Sequence, residues 1–142
     1  DTATVAAPSR DVVLASEPDG AFRSLVLSGS HSYADGCERM DVLSRIEAPH
    51  IFATIGGNGE AAACGMCVAA NGWAGINLMR TQMPHRRKGL AGEVLSALAH
   101  WARREDATRL YLQVEDDNSA ARALYAKAGF TDAYSYKFYR AP

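Results

Sequence analysis

The spacing of apolar residues changes twice along the chain and divides it into three regions. In the first, between Phe22 and Ile46, apolar residues recur at intervals of three and four, which is the period of an amphipathic helix. Gly29 and Gly36 interrupt this period, so the region predicts two short helices with a loop between them. A short strand is predicted before them, at residues 12–14.

The second region predicts three antiparallel strands joined by tight turns. β-branched and aromatic residues fill positions 50–55, and a second strand follows at 61–70 after the turn sequence Gly-Gly-Asn-Gly. Asn71-Gly72 comes next and is the dipeptide most typical of a two-residue hairpin, because both central residues of a type I′ turn need positive φ. The third strand is predicted at 73–82.

The third region alternates helices with strands. Apolar residues form one helical stripe over 89–104 and a second over 121–128, whose helix Asn118 or Ser119 can cap, with a nearly continuous apolar strand at 110–114 between them. Phe130 and residues 134–139 predict one or two final strands. An antiparallel meander followed by a strand–helix–strand unit predicts an α+β fold with a mixed, mostly antiparallel sheet. The right-handed crossover places the first of these helices over one face.

Length and charge limit what the chain can be. Its 142 residues predict a single domain, and residues 1–11 are expected to be a loose lead-in. The first residue is not Met, so we expect an N-terminus that has been trimmed, processed or cut from a longer protein. A net charge of −1 argues against bulk binding of nucleic acid or of an anionic membrane, and no apolar run approaches the roughly 18 residues that span a bilayer. Any anion site must therefore be local.

The cysteines indicate neither a disulfide scaffold nor a metal site. Cys37, Cys64 and Cys67 are few and odd in number, which favours a reducing cytoplasm. Cys64 and Cys67 spell C-x-x-C, but inside a predicted strand their side chains point to opposite faces. Because that geometry suits neither zinc nor a redox motif, no metal is expected.

Positive charge is concentrated where the strand at 73–82 leads into the next helix. Arg86, Arg87 and Lys88 directly precede Gly89. A helix start has free N–H groups and a partial positive charge, and glycine lets a ligand approach the backbone closely. These features favour a phosphate site, with a solvated basic turn as the alternative. The glycine patterns of nucleotide and dinucleotide loops are absent, so those two classes are excluded.

Two segments carry recognisable motifs: RRKGLA, residues 86–91, and VEDDNSAARALYAKAGF, residues 114–130. They resemble the GNAT superfamily, the Gcn5-related N-acetyltransferases. The first matches its acetyl-CoA motif [QR]-x-x-G-x-[GA], and the second is similar to its C-terminal signature. The resemblance runs from about residue 51 to 140 and is strongest over 81–130. It implies one GNAT domain over residues 1–142 with the acyl-CoA N-acyltransferase fold. Ala91 replaces a commoner glycine, and Pro84 lies one position later than usual.

The resemblance implies acetyl-CoA as co-substrate and no metal. Backbone N–H groups of residues 87–92 would hold the diphosphate, and main-chain groups of Met79 and Thr81 would bond the pantetheine arm. The arm would lie in a gap where the strand segments 79–82 and 113–115 diverge. Asn118 would bind the arm or shape the turn. Arg80 either faces the acceptor pocket, where it would favour an acidic substrate, or is an exposed strand cation. The implied cofactor-binding residues are Met79, Arg80, Thr81, Arg86, Arg87, Lys88, Gly89, Leu90, Ala91, Gly92, Asn118 and Tyr125.

The implied reaction is direct transfer of acetyl to a primary amine of a small molecule or peptide in a ternary complex. Tyr125 would protonate the leaving thiolate, although by itself it would be interpreted as a core tyrosine. Glu115 is the first candidate for the general base, ahead of Asp116 and Glu38. Solvated loop carboxylates, with a chain of ordered waters as base, are the alternative for all three.

A second hypothesis is a non-catalytic acyl-CoA-binding or regulatory domain of a larger protein. The sequence does not specify the acceptor. Four tyrosines either line an acceptor pocket or pack against the sheet or a dimer seam, so both a monomer and a homodimer remain open. They are Tyr33, Tyr134, Tyr136 and Tyr139. The expected partner is an amine acceptor, with neither nucleic acid nor membrane.

Overall fold

A five-stranded sheet with helices on both faces forms the centre of the structure, a computed structural model that describes residues 1–30, 32–137 and 139. The strands are β1 (Val13–Ala15), β2 (His50–Gly57), β3 (Glu60–Ala70), β4 (Trp73–Thr81) and β5 (Arg109–Leu112). The helices are α1 (Gly20–Ser28), α2 (Tyr33–Leu43), α3 (Leu90–Arg104) and α4 (Ser119–Lys127). The α+β class predicted from the sequence is therefore confirmed.

The strands lie in sequence order, β1 to β5. The first four pair in antiparallel fashion, and β5 pairs with β4 in parallel after the crossover through α3. The predicted hairpin between β3 and β4 is present, because Asn71 and Gly72 have φ values of 52° and 79°. Both central residues of that turn are thus left-handed, as a type I′ turn requires.

Each face of the sheet has its own apolar cluster. Phe22 and Val26 of α1 pack on one face, and Val94 and Leu98 of α3 pack on the other. No helix among the described residues is long and apolar enough to cross a bilayer.

The two cysteines of the C-x-x-C sequence belong to different clusters. Cys64 lies in the α1 cluster and Cys67 in the α3 cluster, which confirms that they face opposite sides of β3. Burial raises the pKa of each thiol to about 12. These are core thiols, held protonated.

The expectation of a loose lead-in at residues 1–11 is wrong. Thr2 and Val5 are buried, with 3% and 5% exposure, and the Thr2 N–H donates to the Thr108 carbonyl at 3.1 Å. Val5 packs in the α3 cluster. Small polar residues suggested a free segment, but one buried valine and one long-range backbone bond hold it on the domain.

The final strands predicted from Phe130 and residues 134–139 do not form in the part of that segment that the structure describes, residues 130–137 and 139. Residue 138 lies outside the described residues. A strand needs a partner for its N–H and C=O groups. Here a groove of about 1850 Å³ lies between β5 and residues 130–136, and Tyr134 is 81% exposed.

Candidate active site

A gap opens between β4 and β5 partway along the sheet. The parallel ladder runs from Trp73 paired with Arg109 to Ile76 paired with Leu112 and then stops. β4 continues to Thr81, whereas β5 ends at Leu112. The divergence predicted for these two strands is therefore present.

A β-bulge marks the start of the gap. In the ladder with β3, Arg80 pairs with Cys64 and Asn77 pairs with Met66. Two residues of β4, Leu78 and Met79, therefore lie opposite one residue of β3, Gly65. Leu78 has a φ of 53°, which is rare for a residue other than glycine. Such bulges redirect the backbone of one strand, here beside the gap.

The bulge was not predicted from the sequence, although a glycine marks it. Gly65, opposite the bulge, leaves room for the Met79 side chain: a Cβ on Gly65 would stand only 2.4 Å from the Met79 sulfur. A glycine inside an apolar strand is the signal that could have indicated this close approach.

Beyond the bulge, the backbone of β4 points alternate groups into the gap. The Gln82 N–H donates to the Ala62 carbonyl of β3 at 2.9 Å. Because successive residues of a strand point their N–H and C=O groups to opposite sides, Met79 and Thr81 direct theirs away from β3. Their carbonyls accept from Arg80 Nη1 at 3.1 Å and Arg86 Nε at 3.4 Å. Their N–H groups face the gap.

The turn after β4 leads into a helix start without a side-chain cap. Arg87 and Gly89 have left-handed φ values of 60° and 79°, and α3 begins at Leu90. Gly89, at the N-cap, has no side chain to accept from the first N–H groups of the helix. In the other three α-helices of the described chain a side chain caps the start, namely Asp19 in α1, Ser32 in α2 and Asn118 in α4.

The charges around this helix start favour an anion. Arg86, Arg87 and Lys88 are exposed and carry three positive charges beside the free N–H groups. Glu93 is the acidic residue in the first turn of α3. Its oxygens accept from the N–H and hydroxyl of Ser9, and these bonds lower its pKa. The N-terminal segment therefore engages the one acidic side chain in that turn, a contact that local sequence patterns did not indicate.

Tyr125 lies on α4 and packs in the same buried cluster as α3. It is 8% exposed, and its ring packs edge-on against Phe130 with centroids 5.8 Å apart. Burial raises the pKa of its phenol, and the positive charge of Arg80 partly offsets this rise. The phenol is thus protonated at neutral pH. Gln113 and Glu115 line the same groove as Tyr125.

The loop between β5 and α4 holds two of the carboxylates considered as bases. Glu115 is exposed, and its carbonyl accepts from the Asn118 N–H at 3.0 Å. Asp116 pairs with Arg122 at 2.9 Å, so its charge is already partnered. The Asn118 side chain accepts from the Ala121 N–H at 3.1 Å, which confirms it as the cap of α4.

A second cavity of about 520 Å³ lies between α2 and the bulged part of the sheet. Asp35, Glu38, Asn77 and Leu78 are among the residues that line it. Leu78 borders the gap as well, so this cavity adjoins the gap on the α1 side. No group of three or more potential metal-ligating side chains is found in the described chain.

The four tyrosines considered for the acceptor pocket do not form one cluster. Tyr134 and Tyr136 line the large groove beside β5, with ring centroids 6.4 Å apart. Tyr33, at the start of α2, is 76% exposed. Tyr139 is exposed too. None of the four belongs to either buried cluster of the described residues.

A sheet whose strands diverge in front of an uncapped helix start defines an acyl-CoA N-acyltransferase fold. The chain belongs to the acetyltransferase (GNAT) family, whose sequence profile matches residues 22–130. This finding confirms the resemblance that the two motifs carried.

Comparison with individual proteins agrees with this assignment. The uncharacterized N-acetyltransferase YobR of Bacillus subtilis (strain 168) is 36% identical over 69 residues, which cover 49% of this chain and 28% of that relative. The match therefore spans less than a third of the curated relative. A Klebsiella pneumoniae protein assigned as an acyl-CoA N-acyltransferase is 25% identical with a TM-score of 0.72, over 92% of this chain and 88% of its own. AAC(6')-Iy, bound to a bisubstrate analogue containing CoA, has a TM-score of 0.72 at 12% identity, over 94% and 99%.

Proposed function

We propose that this chain is an acetyl-CoA-dependent N-acetyltransferase that acetylates a primary amine by direct attack in a ternary complex. The observation that carries the proposal is the position of the gap. The gap lies along β4, which leads into the uncapped start of α3, and the buried Tyr125 packs in the same cluster as Leu90 at that helix start. One extended thioester lying in the gap would thus reach both an anion site and a proton donor.

The co-substrate fits this arrangement at both ends. The first N–H groups of α3, from Leu90 to Gly92, together with the cations at 86–88, suit a diphosphate. The N–H groups of Met79 and Thr81 suit the amide carbonyls of the pantetheine arm, which would take the place of the missing strand partner. In AAC(6')-Iy, a protein of the same fold, CoA is bound.

The reaction forms one bond and breaks another at the acetyl carbonyl of the thioester. The amine nitrogen attacks the acetyl carbonyl and forms the new C–N bond, and the C–S bond breaks to release the CoA thiolate. Tyr125 donates its phenolic proton to that sulfur, and the second proton that the nitrogen loses as the amide forms restores the phenol. General-acid catalysis of this kind contributes about 10²–10⁴-fold. The raised pKa of Tyr125 keeps the proton available across the neutral range.

The amine must lose a proton before it attacks, because a free alkyl ammonium has a pKa of about 10.4. Glu115 is the proposed acceptor of that proton, directly or through water. It lines the same groove as Tyr125 and is exposed to solvent. Asp116 is less suited, because its carboxylate is paired with Arg122. Glu38 is less suited as well, because it lines the smaller cavity and not the groove that holds Tyr125.

The experiment is an acceptor screen with detection of free thiol, run with the wild type and with Tyr125→Phe. Amino acids, polyamines, aminoglycosides and peptide N-termini form the panel. The proposal expects thiol release with at least one amine and its loss in the variant. The competing non-catalytic acyl-CoA-binding domain would bind acetyl-CoA and release no thiol with any amine. A cytoplasmic location and a monomeric or dimeric state remain predictions.

A further inference from the structure

Arg80 is the one cation on β4, and its side chain lies on the α1 side of the sheet. It runs past the end of α1: a Cβ built on Gly29 would stand 3.2 Å from the Arg80 Cδ and Nε. The residue is half-buried and follows the bulged Leu78 by two positions. The guanidinium is therefore held against protein at the gap and does not extend freely into solvent.

The charge of Arg80 has no counter-ion in the described part of the chain. Its Nη1 donates to the Met79 carbonyl, but its buried Nε has no hydrogen-bond partner there. The ion pairs of the described chain are Arg39 with Asp35, and Arg122 with Asp116 and Asp132. A charge that is partly withdrawn from water and has no partner is unfavourable.

The field of this cation reaches both sides of the gap. Arg80 lowers the pKa of the Cys64 thiol in the α1 cluster and that of the Tyr125 phenol in the α3 cluster, against larger effects of burial. Cys64 and Tyr125 lie on opposite faces of the sheet. Arg80 therefore lies within electrostatic range of groups on both faces of the sheet, on the part of β4 that no longer pairs with β5.

We propose that Arg80 binds a carboxylate of the acceptor, so that the substrate is an amine that also carries a carboxylate, as amino acids do. The inference rests on the proposed function and names its substrate class. An acceptor carboxylate would supply the missing counter-ion and the missing acceptor for Nε in one group. The neighbouring cavity is compatible with such a substrate, because its Asp35 is paired with Arg39 at 3.1 Å, which leaves Glu38 to attract the ammonium group.

The test compares acceptors that differ only in the carboxylate. Glycine, β-alanine, γ-aminobutyrate, L-alanine and L-glutamate are assayed beside their carboxamides, with spermidine and an aminoglycoside as cationic amines without a carboxylate. Wild type, Arg80→Gln and Arg80→Lys are compared. Arg23→Gln is the matched control, because Arg23 is an exposed arginine on α1. Acetyl-CoA affinity is measured for every variant by calorimetry.

In the wild type, kcat/KM is expected to be at least about tenfold higher for the best acid than for its amide, because a polar site discriminates against an analogue that leaves it unpaired. In Arg80→Gln this ratio falls to about one, through loss of activity on the acid alone. Arg80→Lys keeps part of it, and Arg23→Gln keeps all of it. Acetyl-CoA affinity is unchanged throughout, because the contacts proposed for the coenzyme on β4 come from the backbone and not from the Arg80 side chain.

Four results would overturn the inference. Equal activity on acids and amides would show that no carboxylate is recognised, while the proposed acetyl transfer would stand. An equal fall in activity on both in Arg80→Gln would assign Arg80 to the leaving thiolate or to CoA. If no amine in the panel led to thiol release, the proposed function would fail together with this inference. A lowered Tm in Arg80→Gln with unchanged selectivity would likewise make Arg80 a purely structural residue at the end of α1.

Discussion

Gly72 and Gly89 adopt the same left-handed backbone, each with a φ of 79°, and a Cβ on either would meet no other atom within 4 Å. They differ only in where they lie. Gly72 turns the hairpin between β3 and β4, whereas Gly89 precedes the first N–H groups of α3. The pair separates the backbone cost of replacing a left-handed glycine from any effect on the proposed phosphate site.

Alanine at either glycine is expected to cost a similar free energy of unfolding, about 1–2 kcal/mol, because a Cβ is unfavourable in this conformation. Only Gly89→Ala should weaken acetyl-CoA binding, by about tenfold, since a distorted turn misaligns the N–H groups at a cost of about 1.4 kcal/mol. Urea unfolding and calorimetry measure the two effects. Equal acetyl-CoA affinity in both variants would contradict the position given to the diphosphate.

Replacement of Tyr125 by Phe tests the proton donor. We expect kcat to fall by about 10²-fold, because the sulfur must then leave without a positioned acid. The dissociation constant for CoA should stay within about twofold, since the ring is retained. Tyr111→Phe is the matched control, because Tyr111 is an exposed tyrosine on β5 whose ring contacts Trp73. Full turnover in Tyr125→Phe would remove the residue from the mechanism.

Alanine at Gly65 tests the bulge. Its Cβ would stand 2.4 Å from the Met79 sulfur and 3.0 Å from Val94 Cγ1, so the neighbouring side chains must move. Overpacking of this kind costs about 1–3 kcal/mol. We expect that loss of stability together with a fall in kcat, because Met79 also borders the gap. Gly57→Ala, where a Cβ meets nothing within 4 Å, should change neither the free energy of unfolding nor kcat. A stable, fully active Gly65→Ala enzyme would disprove the role of the bulge.

The buried thiols predict a loss of stability in alkali. An unfolded cysteine ionises near pH 8.5, at about its unperturbed pKa. Burial raises the pKa of Cys64 and Cys67 to about 12 in the folded state. Between these values the folded state binds more protons than the unfolded state, so the free energy of unfolding falls as pH rises. Below about pH 8.5 the contribution of the thiols is fully present.

Urea unfolding at pH 8 and pH 10 measures this effect. The fall should be of the order of 1–2 kcal/mol for each thiol over that interval. Cys67→Ala should therefore show a smaller fall than the wild type. Cys37→Ala is the control, because Cys37 is not fully buried, and it should keep the wild-type fall. An unchanged pH dependence in Cys67→Ala would contradict the burial of that thiol.

Local patterns in the sequence predicted the parts of the fold that local chemistry determines. Asn71-Gly72 gave the hairpin because only certain residues tolerate two left-handed positions. Asn118 gave the start of α4 because its side chain accepts from an N–H three residues on. The gap between β4 and β5 was predicted from the family resemblance, and the strand register confirms it.

The features that the sequence did not predict depend on distant partners. The bulge at Leu78 shifts the register that the Asn71-Gly72 turn sets between β3 and β4, and it depends on the close approach of Met79 to Gly65 across the ladder. The N-terminal segment is held by a bond from Thr2 to Thr108, 106 residues away. The alternating aromatics after residue 133 predicted a strand, but alternation alone supplies no partner for the backbone of a strand.

The most direct test of the account compares acetyl-CoA with S-acetylpantetheine, which has the same thioester and arm but lacks the diphosphate and nucleotide. Calorimetry at low ionic strength should give at least about 10²-fold tighter binding for acetyl-CoA, because the start of α3 and its cations would lose their anion in the shorter compound. That advantage should shrink as salt is added. Equal affinity for the two compounds, or no heat with acetyl-CoA, would contradict the account.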